Sequence, residues 1–212
     1  MNDAFSYWDQ WYSARKAPRR ESQFAAWVQK SYLRGTDAIL ELGCGNGRDS
    51  FYFLQHGHTL LALDGSSTAI ERNTDRLGRS DVFHCIDFAD LQSFTHNKLA
   101  DISIVYSRFV LHAVPDDVES IMLDFMARVL PAGGRMMHEF RTIRDPLAQK
   151  GENLGGTERF TDHYRRFIDP FTLVTKIRSR GFRIEFFAEG HGFAVLGDDD
   201  PVVARLVAVK DA

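Results

Sequence analysis

Short apolar runs alternate with amphipathic stretches over the first two thirds of the chain. Residues 38–42, 60–64, 81–87, 100–107 and 135–140 are predicted to form buried strands. Between these runs, apolar positions recur at helical spacing, and Gly or Pro follows where the spacing ends. This alternation predicts an open, mostly parallel sheet with helices on both faces.

The alternation changes after the fifth predicted strand. Residues 141–168 are polar and without clear periodicity, so we expect an irregular segment that is long for a simple connection. Asp169 and Pro170 are typical of the start of a further helix. Two apolar segments then follow with no helix between them, which predicts an antiparallel pair at the sheet edge. We expect one domain over residues 1–212, with a helical or lid segment at 1–35 and a substrate-side insert at 141–168.

Composition limits the class of protein. The 212 residues are 44% hydrophobic and 26% charged, which suffices for one domain with a sizeable core. A formal net charge of -3 and a pI of about 6.2 give no general basic field for nucleic acid. The two cysteines have no metal-ligand spacing, and neither a secretory signal nor a membrane-spanning stretch is evident. We therefore expect a cytoplasmic protein with no metal, no nucleic-acid partner and no membrane partner.

A glycine-rich loop follows the first predicted strand. Gly43, Gly45 and Gly47 alternate with other residues there, and glycine lets the backbone approach a ligand closely. A dinucleotide-binding loop would place its third glycine where this chain has Arg48. The loop also lacks the Gly-Lys-Ser/Thr ending of a Walker loop. Its spacing therefore disfavours an oxidoreductase and a nucleoside triphosphatase.

Acidic residues lie at the ends of the first two predicted strands. Glu41 precedes the glycine loop, where a carboxylate would repel a pyrophosphate but accept a ligand's ammonium group. Asp64 ends the second strand, where an acid accepts hydrogen bonds from both ribose hydroxyls. The implied ligand is an adenosine with a positively charged tail, and S-adenosylmethionine fits that description.

These features resemble the motifs of class I S-adenosylmethionine-dependent methyltransferases. The run ELGCGNG, followed by a strand that ends in Asp64, is similar to the first two motifs. The segments CID at 85–87 and YSRFVLHAV resemble later motifs, and the two closing strands resemble the terminal hairpin of that family. The resemblance covers nearly the whole chain. It implies a single-domain, Rossmann-like α/β fold with a mostly parallel seven-stranded sheet, a terminal antiparallel hairpin and helices on both faces.

The resemblance also implies a site for S-adenosyl-L-methionine and for the product S-adenosyl-L-homocysteine. Asp64 would hold the ribose, Asp87 would bond the adenine amino group, and Ser107 with Arg108 would lie by the methionine end. For Phe88, simple core packing is an equal alternative. The residues expected to bind the cofactor are Glu41, Gly43, Gly45, Gly47, Asp49, Asp64, Gly65, Ser66, Asp87, Phe88, Ser107, Tyr12 and Arg15.

The aromatic N-terminal segment allows two interpretations. Trp8, Trp11 and Tyr12 at helical spacing would simply fasten a helix to the sheet. Alternatively, Tyr12 and Arg15 would close over cofactor and acceptor as a lid that excludes water. Residues 145–161, which include three glycines, are a second lid candidate.

Basic residues are expected around the acceptor. Arg108, Arg141, Arg165 and Arg166, together with Tyr164, fall in segments that should project from the carboxyl edge of the sheet. Because arginine is the preferred fork for phosphate and carboxylate, we expect a small anionic acceptor: a phosphate, phosphonate, sugar or carboxylate. The alternative is that these arginines pair with nearby acidic residues as a solvated surface.

Two histidines are candidates for a general base. His112 follows the fourth predicted strand and His163 begins the HYRRF segment, and both are expected near the acceptor with Arg108. The alternative for each is a loop histidine that hydrogen-bonds its neighbours. His138 is expected to be structural, and His191 is expected in a turn.

Further segments resemble one bacterial methyltransferase group. These are SRFVLHAV, HEFRTIRD and TDHYRRFIDPFTL, and many members of that group are associated with surface polysaccharide or small-molecule tailoring. Two alternatives stay open: a protein methyltransferase, and a non-catalytic subunit that binds the cofactor and a partner. A base methyltransferase is disfavoured because Ser107 to Val110 replace the N-P-P-Y or D-P-P-Y stretch. The sequence leaves both a monomer and a homodimer open.

Overall fold

The computed structural model describes residues 2–14 and 18–212. Its helices are α1 (Asn2–Ser13), α2 (Gln23–Ser31), α3 (Arg48–Gln55), α4 (Ser67–Leu77), α5 (Asp116–Val129) and α6 (Pro170–Arg178). Its strands are β1 (Ala38–Leu42), β2 (Thr59–Asp64), β3 (Phe83–Cys85), β4 (Ile104–Arg108), β5 (Arg135–Arg141), β6 (Glu152–Gly155), β7 (Glu158–Phe160), β8 (Tyr164–Arg166), β9 (Phe182–Gly190) and β10 (Val203–Lys210).

Seven of the described strands form one sheet in the order β3-β2-β1-β4-β5-β10-β9. The first five lie parallel, while β10 runs antiparallel to both β5 and β9. Apolar side chains fill a core on each face of the sheet, one against α5 and α6 and the other against α2 and α3. The predicted mostly parallel sheet with a terminal antiparallel pair is therefore confirmed. Strand order reverses at β1, between β2 and β4, which is where such sheets bind ligands.

The insert contains more regular structure than expected. Within residues 141–168, β6, β7 and β8 form a separate three-stranded antiparallel sheet. The expectation of an irregular segment was wrong for these residues. Each of these strands has three or four residues, and most of their side chains are polar and partly or fully exposed. Such short strands show no two-residue hydrophobic period, so pairing between them is evident only in the folded chain.

A buried cap joins the sheet to the helices beside the glycine loop. Ser22 caps α2, with its Oγ accepting a 2.9 Å hydrogen bond from Ala25 N. Asp49 at the start of α3 accepts hydrogen bonds from Ser22 N, Ser22 Oγ and Tyr106 Oη, at 2.7, 2.8 and 2.7 Å. These bonds hold the start of α2 against the loop between β1 and α3. In the described part of the chain, no helix combines the length and the apolarity needed to cross a bilayer.

Candidate active site

A cavity of 770 Å³ opens at the carboxyl ends of β1, β2 and β4. Its walls come from α1, the glycine loop, the ends of β2 to β4, the insert and the connection between β9 and β10. The volume is in the range of small-molecule and cofactor sites. Among residues 2–14 and 18–212, no three potential metal ligands come together.

The glycine loop forms one wall because two of its glycines have neighbours that exclude a side chain. A Cβ on Gly43 would overlap Val110, and one on Gly45 would overlap the Tyr12 hydroxyl. Both residues have positive φ angles, +77° and +50°, and both line the cavity. Gly47 does not line it; a Cβ there would lie 2.7 Å from Asn73 Oδ1. Gly47 thus lets the loop pack closely against α4, and its contact with the cofactor stays a prediction.

Acidic residues at the ends of β2 and β3 face the same cavity. Asp64 Oδ2 accepts from Gly45 N at 2.7 Å, and Oδ1 accepts from Ser66 N at 2.9 Å. Burial raises the pKa of Asp64, and these backbone hydrogen bonds oppose the shift. Each carboxylate oxygen keeps a lone pair for a hydroxyl donor. Asp87 and Phe88 also line the cavity, as does Gly65.

Glu41 is a buried carboxyl group at the floor of the cavity. Only 3% of the residue is exposed, and Ser50 Oγ donates a 2.5 Å hydrogen bond to its Oε2. Burial and the charge of Asp49 raise the pKa of Glu41 to about 8. A cation beside Glu41 would therefore stabilise the ionised carboxylate.

Two residues expected to bind the cofactor have their side chains committed elsewhere. Asp49 lines the cavity, but both its oxygens accept the bonds from Ser22 and Tyr106 described above. Ser107 does not line the cavity; its Oγ lies 2.8 Å from His138 Nδ1 inside the sheet. The alternation of side chains along β4 sends Ser107 to one face and Arg108 to the opposite face.

Helix α1 lies across the cavity and contacts both of its sides. Its Tyr7, Trp8, Trp11 and Tyr12 side chains line the cavity. On the cofactor side, Asp9 accepts hydrogen bonds from α4 and its N-cap. On the opposite side, the Tyr7 hydroxyl donates a 2.8 Å hydrogen bond to Asp162 of the insert. This is the position that a lid requires. Arg15 lies outside the described residues.

Arg108, at the end of β4, presents its side chain to the cavity. Its Nε donates to Glu139 Oε1 at 2.8 Å, and Arg205 Nε donates to the other oxygen of Glu139, also at 2.8 Å. The Arg108 guanidinium lies 4.2 Å from the Phe109 ring centroid. Its two terminal nitrogens make no hydrogen bond to another described residue, and Arg108 lines the cavity. One carboxylate shared by two arginines leaves net positive charge here.

The other predicted arginines are paired with acidic residues. Arg141 lines the cavity but donates to Asp145 at 2.9 Å and to Asp199 at 2.5 Å. Arg165 also lines it and donates to Asp162 at 2.6 Å. For both, the ion-paired alternative is the one observed. Tyr164 lines the cavity beside them.

Arg166 lies outside the cavity, in a buried ion-pair network. Its terminal nitrogens donate to Asp116 at 3.0 Å and to Glu119 at 2.5 Å, and Lys176 contacts the same two carboxylates. Arg166 does not line the cavity, and these contacts hold its side chain against α5 and α6. The expectation that Arg166 binds substrate was wrong.

His112 is buried against the cavity in one particular tautomer. Its Nδ1 lies 3.1 Å from the backbone N–H of Arg141, which can only donate, so the ring proton of the neutral imidazole is on Nε2. Burial and the charge of Arg141 hold the pKa of His112 well below its usual value. The group is therefore a hydrogen-bond donor at Nε2, and the expectation of a general base at His112 is corrected by this hydrogen bond.

His163 stacks on α1 and remains available as a base. Its ring centroid is 4.5 Å from that of Tyr7, and its Nδ1 is 3.2 Å from Asp162 Oδ1. Burial and Arg165 lower the pKa of His163 to about 4, so the imidazole is neutral near neutral pH. His163 Nδ1 makes no hydrogen bond of good geometry to a described residue, so Asp162 acts on the ring through its charge.

Several cavity residues were not anticipated from the sequence. Arg48 lines the cavity, although the sequence indicated only that it replaces a glycine of the dinucleotide-binding motif. Residues 194–196 also line it, although the sequence predicted only that they connect the last two strands. Phe109 lines the cavity and has a backbone φ of +61°, a conformation that bulky residues rarely adopt. A charged residue directly after the glycine loop was a usable signal for Arg48. The other two positions depend on how distant segments meet.

Comparisons with known proteins agree with this arrangement. Residues 40–136, just under half of the chain, match a protein family described as "Methyltransferase domain". The chain is 27% identical over 124 residues to a 27-O-demethylrifamycin SV methyltransferase from Amycolatopsis mediterranei (strain S699), covering 57% of this chain and 44% of that protein. It therefore spans less than half the length of this curated relative.

Solved structures share the fold at low sequence identity. A 1,6-didemethyltoxoflavin-N1-methyltransferase from Burkholderia thailandensis, with bound 1,6-didemethyltoxoflavin and S-adenosylhomocysteine, has a TM-score of 0.71 and 16% identity, over 99% of this chain and 87% of that one. The cyclase SpnF has a TM-score of 0.66 and 16% identity, over 93% and 85%. Since one of these relatives is named as a cyclase, the fold is not by itself an argument for a reaction.

The family match falls on residues that build the cavity. Residues 40–136 contribute the glycine loop and the ends of β2, β3 and β4, in a chain with the Rossmann-like fold that its structural neighbours share.

Proposed function

We propose that the protein transfers a methyl group from S-adenosylmethionine to a small-molecule acceptor that bears an anionic group: a phosphate, phosphonate, sugar or carboxylate. The observation that supports the anionic group is Arg108, whose terminal nitrogens face the cavity beyond the end of β4. The names of the rifamycin and toxoflavin methyltransferases support a small acceptor. Pairing of Arg141 and Arg165 with acidic residues leaves Arg108 as the principal group for acceptor recognition.

The cavity residues suit the two parts of the cofactor. Glu41 would take the ammonium group and Asp64 the ribose hydroxyls, while Tyr12 on α1 covers the glycine loop. The residues proposed to hold the cofactor are Glu41, Gly43, Gly45, Asp64, Gly65, Ser66, Asp87, Phe88 and Tyr12, all of which line the cavity.

Catalysis would depend on placement, exclusion of water and one base. When bound, S-adenosylmethionine would supply an electrophilic methyl group on a sulfonium. Helix α1 closes the cavity from above and limits access of water. The neutral His163 imidazole would take a proton from a neutral hydroxyl or amine on the acceptor, with the stacked Tyr7 ring holding its orientation. His112 Nε2–H would donate a hydrogen bond and help to position the acceptor.

A turnover screen with matched variants tests this function. The protein is incubated with the methyl donor and with phosphates, phosphonates, sugar acids, carboxylates, and neutral and cationic analogues, and product mass is measured. We expect methylation of anionic acceptors, with KM raised about 10- to 100-fold in Arg108→Met, the value of a charged hydrogen bond. Arg144→Met is the control, because Arg144 is exposed, pairs with Glu189 and does not line the cavity. Turnover restricted to neutral or cationic acceptors, or an unchanged KM in Arg108→Met, would refute the anionic acceptor.

A further inference from the structure

Arg48 is a largely buried cation that lacks a hydrogen-bond partner among the described residues. Its side chain is only 16% exposed, and its Nε lies 3.8 Å from Asp49 Oδ1, which is beyond hydrogen-bond distance. Asp49 is already engaged by Ser22 and Tyr106. Arg48 lines the cavity, so its donors face the space that a ligand would fill. Buried charged groups are normally paired, which makes this guanidinium a site for an anion.

A carboxyl group that can take the opposite charge lines the same cavity. Glu41 faces the same part of the cavity, and the charge of Arg48 lowers the pKa of Glu41 against the dominant effect of burial. The two residues flank the glycine loop, Glu41 two positions before Gly43 and Arg48 directly after Gly47. One carboxyl and one guanidinium at the two ends of the glycine loop, both lining the cavity, match the ammonium and carboxylate of an α-amino acid.

We propose that Arg48 binds the carboxylate at the amino-acid end of the cofactor, beside the ammonium held by Glu41. The inference rests on S-adenosylmethionine as the donor, and it assigns a binding residue that the motif resemblance did not include. Arg48 thereby orients the methionine end, while the adenosine end is held by Asp64 and Asp87.

The neighbouring arginine has a different electrostatic setting. Arg108 is hydrogen-bonded to Glu139 and stacked on Phe109, on the acceptor side of the cavity. Its positive charge, after burial, is the strongest effect that lowers the pKa of Arg48. A carboxylate on Arg48 relieves this repulsion. Besides Glu41, the groups that act on Arg48 electrostatically are Arg108, Asp49, Tyr106 and Glu139. The Glu139 carboxylate is shared with Arg205.

Two ligands that differ by a single carboxylate test the assignment. Isothermal titration calorimetry compares S-adenosylhomocysteine with its decarboxylated amine, which keeps the adenosine, the thioether and the amino group. For Arg48→Met we expect S-adenosylhomocysteine to bind about 10- to 100-fold more weakly, in line with loss of a charged hydrogen bond. The decarboxylated amine should bind the wild type and Arg48→Met with equal affinity. Arg48→Lys, which keeps the charge without the fork, should recover part of the loss.

Controls separate this inference from misfolding and from the proposed acceptor. Arg34→Met provides a matched substitution on the exposed turn before β1, and far-UV circular dichroism with a thermal melt verifies the fold of each variant. Equal weakening of both ligands in Arg48→Met, or no weakening of either, overturns the assignment. A change confined to acceptor KM would instead assign Arg48 to the acceptor's anion and also overturn it. The binding assay needs no acceptor, so its failure leaves the acceptor hypothesis intact.

Discussion

Binding of the cofactor should expel a proton from Glu41. In the ligand-free protein, burial and Asp49 raise the pKa of Glu41 to about 8, so the carboxyl group is mostly protonated at neutral pH. A ligand ammonium beside it favours the carboxylate and lowers the pKa in the complex. Because the free-state pKa is the higher one, binding releases a proton below about pH 8 and strengthens as the pH rises toward that value.

The magnitude follows from the distance between the pH and this pKa. Ionising Glu41 costs about 1.4 kcal/mol at about pH 7 and about 2.7 kcal/mol at about pH 6, since one pKa unit is 1.36 kcal/mol. The Kd of S-adenosylhomocysteine should therefore fall about tenfold over that interval, in which an α-amino group is still charged. His112 and His163 are already neutral there because burial lowers the pKa of each, so neither contributes to this slope.

Calorimetry in two buffers of different ionisation enthalpy measures the released protons directly. We expect close to one proton per bound S-adenosylhomocysteine in the wild type between about pH 6 and about pH 7. Glu41→Gln should bind more weakly with no pH dependence, and 5′-methylthioadenosine, which lacks the amino group, should release none. Glu71→Gln on the exposed face of α4 is the control. A pH-independent Kd in the wild type, or a slope that persists in Glu41→Gln, would refute the reasoning.

Two further substitutions test the loop and the network outside the cavity. Gly43→Ala should weaken S-adenosylhomocysteine binding at least about tenfold in calorimetry, because the added Cβ would overlap the buried Val110. Gly78→Ala is the control: Gly78 has a similar φ of +70° but open space around it, so binding should be unchanged. Arg166→Met should lower the free energy of unfolding, measured by urea titration, by about 1–3 kcal/mol, because the buried Glu119 loses its arginine and keeps only Lys176 at 2.9 Å. Arg183→Met, on an exposed edge strand, is the control and should change the free energy of unfolding by less than about 0.5 kcal/mol in a urea titration. Equal effects of the two arginine variants would contradict a stabilising role for the Arg166 network.

Local pattern predicted the elements that have strong local causes. The apolar run at β1 and the glycines after it marked the turn into α3, and Ser22 and Asp169 marked the caps of α2 and α6. Hydrophobic spacing and capping residues act within a few positions of the chain, so they are visible in the sequence. The short strands of the insert lack such a signal and became evident only through their pairing.

The sequence by itself determined the sheet, the glycine loop and the order of acidic residues at the strand ends. Only the tertiary structure decided which charges stay free in the cavity. Arg141 meets Asp199, 58 positions away, and Arg166 meets Glu119, 47 positions away, while Arg108 and Arg48 keep donors directed at the cavity. An arginine's role depends on whether a carboxylate lies within about 4 Å, and contacts between distant segments set that distance.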